Sequence, residues 1–237
     1  MDFDTVWARV LPEDAVSLSG TPVLVVLGVA LVAVAFGPLW TVLRLGVTLV
    51  HELGHALVGV LSGRRFTGFV LRGDMSGHAV TVGPARGPGR VLTTWAGYPA
   101  PALVGALLVV LAARGWSAPV LTGVLVLLVA ALLRVRSVLT AAVVLGVLLG
   151  AGALWWAAGG ELQAQVVVAA GVALLVGAWR HLGAVLGAPR RGTSDPEVLA
   201  RLTRVPTVLW NVTFVLACLF ASWVVGTTVL RAAGLLA

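Results

Sequence analysis

The chain has 237 residues, of which 59% are hydrophobic and only 11% charged, and its mean hydropathy is +1.05. Soluble domains are roughly half apolar, so this composition excludes an ordinary soluble globular protein. The net charge of +7 rests on arginine alone, because the chain contains no lysine. These arginines lie between apolar runs and no nucleic-acid-binding motif is present, so we interpret them as membrane topology signals.

The chain divides into an N-terminal segment, residues 1–21, and a single predicted membrane-embedded domain, residues 22–237. The segment begins MDFDTVWARVLPEDAV, which is acidic. A cleavable signal peptide has a basic start, so we expect the first apolar run to remain in the mature protein.

The first apolar run, Pro22 to Leu61, is interrupted only by Arg44 and a cluster of histidine and glutamate. A membrane-spanning helix needs about 20 residues, so this run is too long for one crossing. Gly37 and Pro38 predict a break, since proline interrupts the helical hydrogen-bond ladder and glycine weakens it. We therefore expect two helices, near 22–37 and 39–61.

The cluster in the second of these helices is an HExxH motif, His51-Glu52-Leu53-Gly54-His55. Residues four apart project from the same face of a helix, so both imidazoles can bind one metal ion. Glu52 lies beside them and can act as general base on a metal-bound water. Ionisable groups inside a membrane helix are costly, at least about 2.5 kcal/mol for an acid at the centre, so three together indicate a function rather than chance packing. The motif predicts a zinc site with His51 and His55 as ligands and Glu52 as catalytic residue.

The segment after this helix, residues 62–90, is rich in glycine and has β-like stretches. Two such stretches, Phe69 to Leu71 and Ala79 to Val82, flank a turn-like sequence at Asp74 to Gly77. This pattern predicts a β-hairpin or small sheet near the membrane surface.

Further apolar runs follow the β-like segment, and we expect a helix from each. A second irregular segment, 181–205, is predicted to be a loop with a short helix after Ser194-Asp195-Pro196. Cys218, the one cysteine, lies in an apolar run, so neither a disulfide framework nor a cysteine zinc site is expected. The fold class is therefore an all-α polytopic membrane protein with six to seven transmembrane helices; the later ones are expected at 91–113, 118–133, 137–157, 162–180 and 206–230.

The arginines are distributed unequally between the two sides of this topology. Twelve of them fall in or beside 62–90, 134–137 and 181–205, which seven helices would place on one side. Cytoplasmic loops carry the positive excess, so both irregular segments are expected in the cytoplasm. The expected location is the cell membrane of a bacterium, with the lipid bilayer as solvent.

The chain resembles the site-2 protease family of intramembrane metalloproteases, in its small bacterial M50B-like branch. The resemblance rests on HELGHALVG in an early apolar helix, on GDMSGHAVTV in the β-like segment, and on the helix opening Ala96-Gly97-Tyr98-Pro99. It implies a zinc-dependent endopeptidase that cleaves membrane-spanning or membrane-associated proteins near the cytoplasmic face. By the same resemblance, residues 68–82 could offer a strand edge to an extended substrate.

The third zinc ligand is the open question of the sequence. Better-known family members supply an aspartate from a later LDG-type sequence, and this chain has none. A catalytic zinc has three protein ligands, and Asp195 ranks first because it lies on the predicted cytoplasmic side just before the last helix. Its alternative role is a helix N-cap. The other candidates, in order, are Asp74 and His78, then His181, then Glu197 and Asn211.

Two other functions stay open for such a sequence. One is a metal-binding membrane protein that regulates without cleaving, against which the intact Glu52 argues. The other is a metal transporter, which normally needs ionisable groups on several helices. The apolar runs after residue 91 contain almost none of these groups.

Overall fold

The computed structural model describes residues 7, 9–13, 21–74, 76–187 and 192–236, so most of the N-terminal segment lies outside the described residues. The described chain is mostly helical, with one small sheet. The strands are β1 (Arg65–Leu71) and β2 (Gly77–Val82), and the helices are α1 (Thr21–Ala35), α2 (Gly37–Leu61), α3 (Pro88–Trp95), α4 (Pro99–Ala113), α5 (Ser117–Leu132), α6 (Val138–Ala157), α7 (Gly160–Gly187), α8 (Asp195–Thr203) and α9 (Thr207–Ala232).

The predicted break at Gly37 and Pro38 is present. Phe36 is extended (φ −75°, ψ 116°) and Pro38 occupies the first turn of α2, where a missing N–H costs nothing. Residues 27–35 of α1 and the whole of α2 meet at an angle of 100°. The chain therefore turns sharply before it enters the helix that carries the HExxH motif.

The predicted hairpin is also present, as an antiparallel pair with Phe69 opposite Ala79 and Leu71 opposite Gly77. The other edge of β1 is occupied: the Phe69 N–H donates to the Arg134 carbonyl at 3.1 Å, and the Arg136 N–H donates to the Phe69 carbonyl at 3.2 Å. Phe69 and Leu71 are fully buried in a small core with residues of α2, α5 and α6. This core holds β2 against α2.

The main core lies between α4, α7 and α9. Gly105 of α4 and Gly171 of α7 face each other so closely that a Cβ added at Gly171 would lie 2.6 Å from the Gly105 carbonyl oxygen. Small residues at such a crossing let two helix backbones approach. Phe214 of α9 and Val109 of α4 are completely buried in this core.

The prediction of six to seven crossings is not confirmed for the described residues. Three helices are long and apolar enough to span a membrane, α6, α7 and α9, and the count rises to five if each bent helix pair is one span. The short helices explain the difference, because α1 and α4 have 15 residues and α5 has 16, fewer than the roughly 20 that a crossing needs.

Two predicted boundaries were wrong. The single helix expected over 91–113 is two helices, α3 and α4, which meet at 65° because Pro99 starts a new helix after Gly97 and Tyr98. The loop expected to begin at residue 181 begins later, since α7 continues to Gly187. The helix continues past residue 180 because Leu182 is buried in the main core and Val185 packs against that core. The short helix expected after Ser194 is α8.

Candidate metal centre

Two histidines of α2 project from one face of the helix, one turn apart. The Nε2 atoms of His51 and His55 are 3.1 Å apart, and the side chains are 14% and 12% exposed. His55 Nδ1 lies 2.6 Å from the Thr93 carbonyl oxygen. A carbonyl only accepts hydrogen bonds, so Nδ1 carries the proton and the Nε2 lone pair is left for a metal ion.

Asp195 approaches these histidines from the first turn of α8. Its Oδ2 atom is 3.3 Å from His51 Nε2 and 3.2 Å from His55 Nε2. The N-cap of α8 is Ser194, not Asp195, and a capping box with Glu197 fixes the start of the helix. In this box Glu197 Oε2 accepts a hydrogen bond from the Ser194 N–H at 3.1 Å, and it also accepts one from Ser194 Oγ at 2.6 Å. The cap leaves the Asp195 carboxylate directed at the histidines.

The three atoms fit one metal ion. A tetrahedral zinc with bonds of roughly 2.0–2.2 Å separates neighbouring ligands by roughly 3.3–3.5 Å, close to the 3.1–3.3 Å observed. Asp195 Oδ2 is buried and accepts no hydrogen bond of acceptable geometry from any described residue. A shared cation would satisfy this oxygen together with both nitrogens. Two imidazoles and one carboxylate suit zinc and other divalent transition metals.

A glycine keeps the centre open. A Cβ added at Gly97 would lie 2.6 Å from His51 Nε2 and would also contact His55 Nε2. Gly97 lies within the break between α3 and α4, between Trp95 and Pro99. Any larger residue there would take the space beside the ligand atoms.

Glu52 is buried beside the three ligand candidates, at 3% exposure. Within the described residues its Oε2 atom has no hydrogen-bond partner, whereas the backbone of Ala79 in β2 is a hydrogen-bond partner of the carboxylate. Gly77 allows β2 to pass this close, because a Cβ there would lie 2.6 Å from Glu52 Cγ. The hairpin therefore holds Glu52 in place while one carboxylate oxygen stays available.

The centre opens into a cavity of about 330 Å³ that runs along α2. Its lining includes the α2 residues Arg44, His51 and Glu52, together with Tyr98 and His181. The hairpin turn and residues 193–195 also line it. Two of the ligand candidates, His51 and Asp195, therefore share one cavity with Glu52.

A family model described as Peptidase M50B-like matches residues 24–225, a range that includes every residue of this centre. The chain belongs to the Peptidase M50B-like family. This match confirms the resemblance drawn from the HELGH motif. Neither the curated proteins nor the solved structures gave a match to the chain. Membership assigns the chain to a metallopeptidase family, and the histidine–aspartate cluster of this M50B-like chain could hold its metal.

The remaining candidate ligands of this M50B-like chain lie outside the cluster. Asp74 is exposed at the hairpin turn, where hydrogen bonds from the Ser76 hydroxyl and N–H hold the pKa of its carboxyl below the usual range. His78 is exposed on β2, and His181 lines the cavity on α7. Glu197 is occupied by the capping box. Asn211 is in the first turns of α9, with a buried Oδ1 that no described residue satisfies.

Several residues of the centre were not singled out in the M50B-like sequence. Gly77 and Gly97 lie inside the sequence motifs on which the resemblance rests, and Gly77 directly precedes the candidate ligand His78. Thr93 gave no signal, because its contact with His55 uses a backbone carbonyl. Tyr98, whose ring packs edge-on against His51 at 4.9 Å, follows Gly97 directly.

Proposed function

We propose that this protein is a zinc-dependent intramembrane endopeptidase that cleaves membrane-spanning or membrane-associated proteins near the cytoplasmic face. The observation that carries the proposal is the close convergence of His51, His55 and Asp195 beside the buried Glu52, in a chain of the Peptidase M50B-like family. Its apolar helices support action within the membrane.

His51, His55 and Asp195 would hold the zinc through their Nε2 and Oδ2 atoms. The bound ion supplies Lewis-acid polarisation of the scissile carbonyl and a water that is acidic near neutral pH. The hydrogen bond from His55 Nδ1 to the Thr93 carbonyl fixes the ring and its tautomer. Each ligand is thus positioned by its own element: α2 sets the histidines and α8 sets the aspartate.

Glu52 is the general base in this proposal. Its Oε2 atom, buried and without a partner among the described residues, accepts the proton of the attacking water. The same carboxyl then donates that proton to the leaving amine. Burial away from bulk water keeps this proton between the carboxylate and the substrate.

The substrate segment would be held extended beside the hairpin. The far edge of β1 is occupied by Val135, and within the described residues β2 pairs with no strand other than β1. A peptide added along β2 would pass Gly77 and Ala79, next to Glu52. Strand addition of this kind supplies main-chain hydrogen bonds whatever the side chains of the substrate.

The decisive experiment compares metal content and cleavage of a model transmembrane substrate for wild type, Glu52→Gln and Asp195→Ala. Glu52→Gln should keep its zinc and lose at least about 100-fold in cleavage rate, the usual contribution of a general base. Asp195→Ala should lose both. Metal content is measured by elemental analysis of the purified protein.

Other outcomes would redirect the proposal. If Glu52→Gln cleaves as fast as wild type, the protease mechanism is wrong. A wild type that retains zinc but cleaves no substrate would favour the non-proteolytic metal-binding function. Full zinc and activity in Asp195→Ala would remove Asp195 as the third ligand and leave the reaction standing.

A further inference from the structure

Arg44 lies in the apolar part of α2, two turns before His51, and lines the same cavity. Among the described residues no acid forms an ion pair with it, since the ion pairs found there join Asp195 to the two histidines. No described residue accepts a hydrogen bond from its guanidinium. An arginine inside a membrane helix is costly and normally faces a partner or a functional cavity.

Arg180 provides a comparison, because the contacts of its guanidinium are made within the protein. Its guanidinium lies over the Trp40 ring and donates to the Val34 carbonyl. Arg44, one turn after Trp40 on α2, has neither kind of contact and faces the cavity instead. The difference indicates that its partner comes from outside the described chain.

His181 lines the same cavity from α7 and lies within electrostatic range of both His51 and Arg44. Its ring packs edge-on against Trp40 at 6.0 Å, and its buried Nε2 has no hydrogen-bond partner among the described residues. None of the acids that line this cavity forms an ion pair with Arg44 among the described residues. Glu52 and Asp195 belong to the metal end, and Asp74 is hydrogen-bonded to Ser76 at the hairpin turn.

We propose that Arg44 and His181 bind a carboxylate of the peptide substrate, so that the enzyme prefers an acidic side chain or a free C-terminus at a fixed distance from the scissile bond. Arg44 presents a planar pair of N–H donors that matches a carboxylate, and His181 adds one donor. This inference rests on the proposed proteolytic function, because the distance is measured from the bond that is cut.

The distance follows from the helix. Seven residues separate Arg44 from His51, which is about 10.5 Å along the axis at 1.5 Å per residue. An extended peptide covers about 3.3 Å per residue, so the carboxylate would lie about three residues from the bond that is cut. A lipid headgroup is the less favoured ligand, because it would have to occupy the cavity that leads to Glu52 and His51.

The test measures binding rather than cleavage. Zinc-loaded Glu52→Gln protein in phosphatidylcholine nanodiscs is titrated with fluorescent transmembrane peptides that carry Glu or Gln at one position at a time. A charged hydrogen-bonded pair is worth about 1.5–3 kcal/mol, which is at least about tenfold in affinity. We expect that preference for Glu at one position, and its loss on adding Arg44→Gln.

A second series replaces the free C-terminus by an amide, which separates a terminal carboxylate from an acidic side chain. Arg44→Lys keeps the charge and should keep part of the preference, which guards against a folding defect in Arg44→Gln. Arg231→Gln removes the same charge from the exposed last turn of α9 and should keep the whole preference.

Two results would overturn the carboxylate site: equal binding of Glu and Gln peptides at every position with no effect of the amide, or an unchanged preference in Arg44→Gln. Phosphatidylglycerol nanodiscs test the lipid alternative. If Arg44→Gln lowers phosphatidylglycerol retention and peptide preference is absent, the site binds lipid and the proposal is wrong. If the preference is present but wild type cleaves nothing, proteolysis fails while the carboxylate site stands.

Discussion

Gly97 lies where the side chains of His51 and His55 converge, so its missing Cβ is part of the candidate metal centre. Gly97→Ala should push the rings apart and weaken zinc binding by about 10–100-fold, as changes next to metal ligands do. Chelator competition on purified protein measures this affinity. Gly146→Ala is the matched control, because a Cβ there meets nothing within 4 Å. Equal zinc affinity in both variants would contradict the placement of the metal.

Gly77 has a different neighbour, the Glu52 side chain. Gly77→Ala should displace the carboxylate, because the added methyl would overlap Glu52 Cγ and the strand cannot move away without breaking its pairing with β1. We expect cleavage to fall by about 100-fold, as after loss of a general base, while zinc content stays unchanged. Loss of zinc with retained cleavage would show that Gly77 supports the ligands instead.

At the residue scale, the sequence alone predicts those site residues whose arrangement depends on local spacing. His51, Glu52 and His55 share one helix face by their numbering alone. Asp195 was ranked first among several acids, and the structure brings it to the histidines, but its role as a ligand stays a prediction. A contact across 140 positions depends on how α8 packs, and no spacing rule encodes that. The contribution of Thr93 is a backbone carbonyl and is invisible in any sequence pattern.

At the scale of elements, α8 depends on its capping box to direct Asp195. Hydrogen bonds from Ser194 lower the pKa of Glu197 from its usual 4.5 to about 2. A lowered pKa adds stability above pH 4.5, and this stability is lost as the pH falls toward 2. The difference in Tm between wild type and Glu197→Gln should be constant above pH 4.5 and should shrink below it. A difference that grows on acidification would contradict the capping role.

The helix boundaries show which elements hydropathy can predict. The break at Gly37 and Pro38 and the hairpin were predicted correctly, because proline, glycine and β-like alternation act locally. The bend between α3 and α4 was missed, since Pro99 lies within an apolar run. The extension of α7 past Arg180 was missed as well, because it depends on the tertiary burial of Leu182 in the main core.

At the scale of the whole molecule, the hairpin and residues 193–195 line one cavity, so they lie at the same end of the helices. The opposite end is marked by contacts of the N-terminal segment: the Glu13 N–H donates to the Gly115 carbonyl at 2.9 Å, and Arg9 donates to the Trp155 carbonyl. Between these contacts the chain passes through α4 to Gly115 and then through α5 to Val135, which lies beside β1. We therefore predict that both arginine-rich irregular segments lie on one side of the membrane, which the positive-inside rule assigns to the cytoplasm.

Single cysteines test this path directly, with Cys218→Ser as background because Cys218 is the one native cysteine. Exposed positions on the two ends are Arg86 and Thr193, and Arg114 and Gly159. A membrane-impermeant maleimide should label Arg86→Cys and Thr193→Cys in inverted vesicles only, and Arg114→Cys and Gly159→Cys in intact cells only. The physical reason is that the two pairs of positions would lie on opposite sides of the bilayer, whose hydrocarbon core a charged reagent cannot cross. Labelling of Arg86→Cys and Gly159→Cys from the same face would show that α4 to α7 do not carry the chain between the two sides, and the predicted cytoplasmic orientation of the candidate metal centre would be wrong.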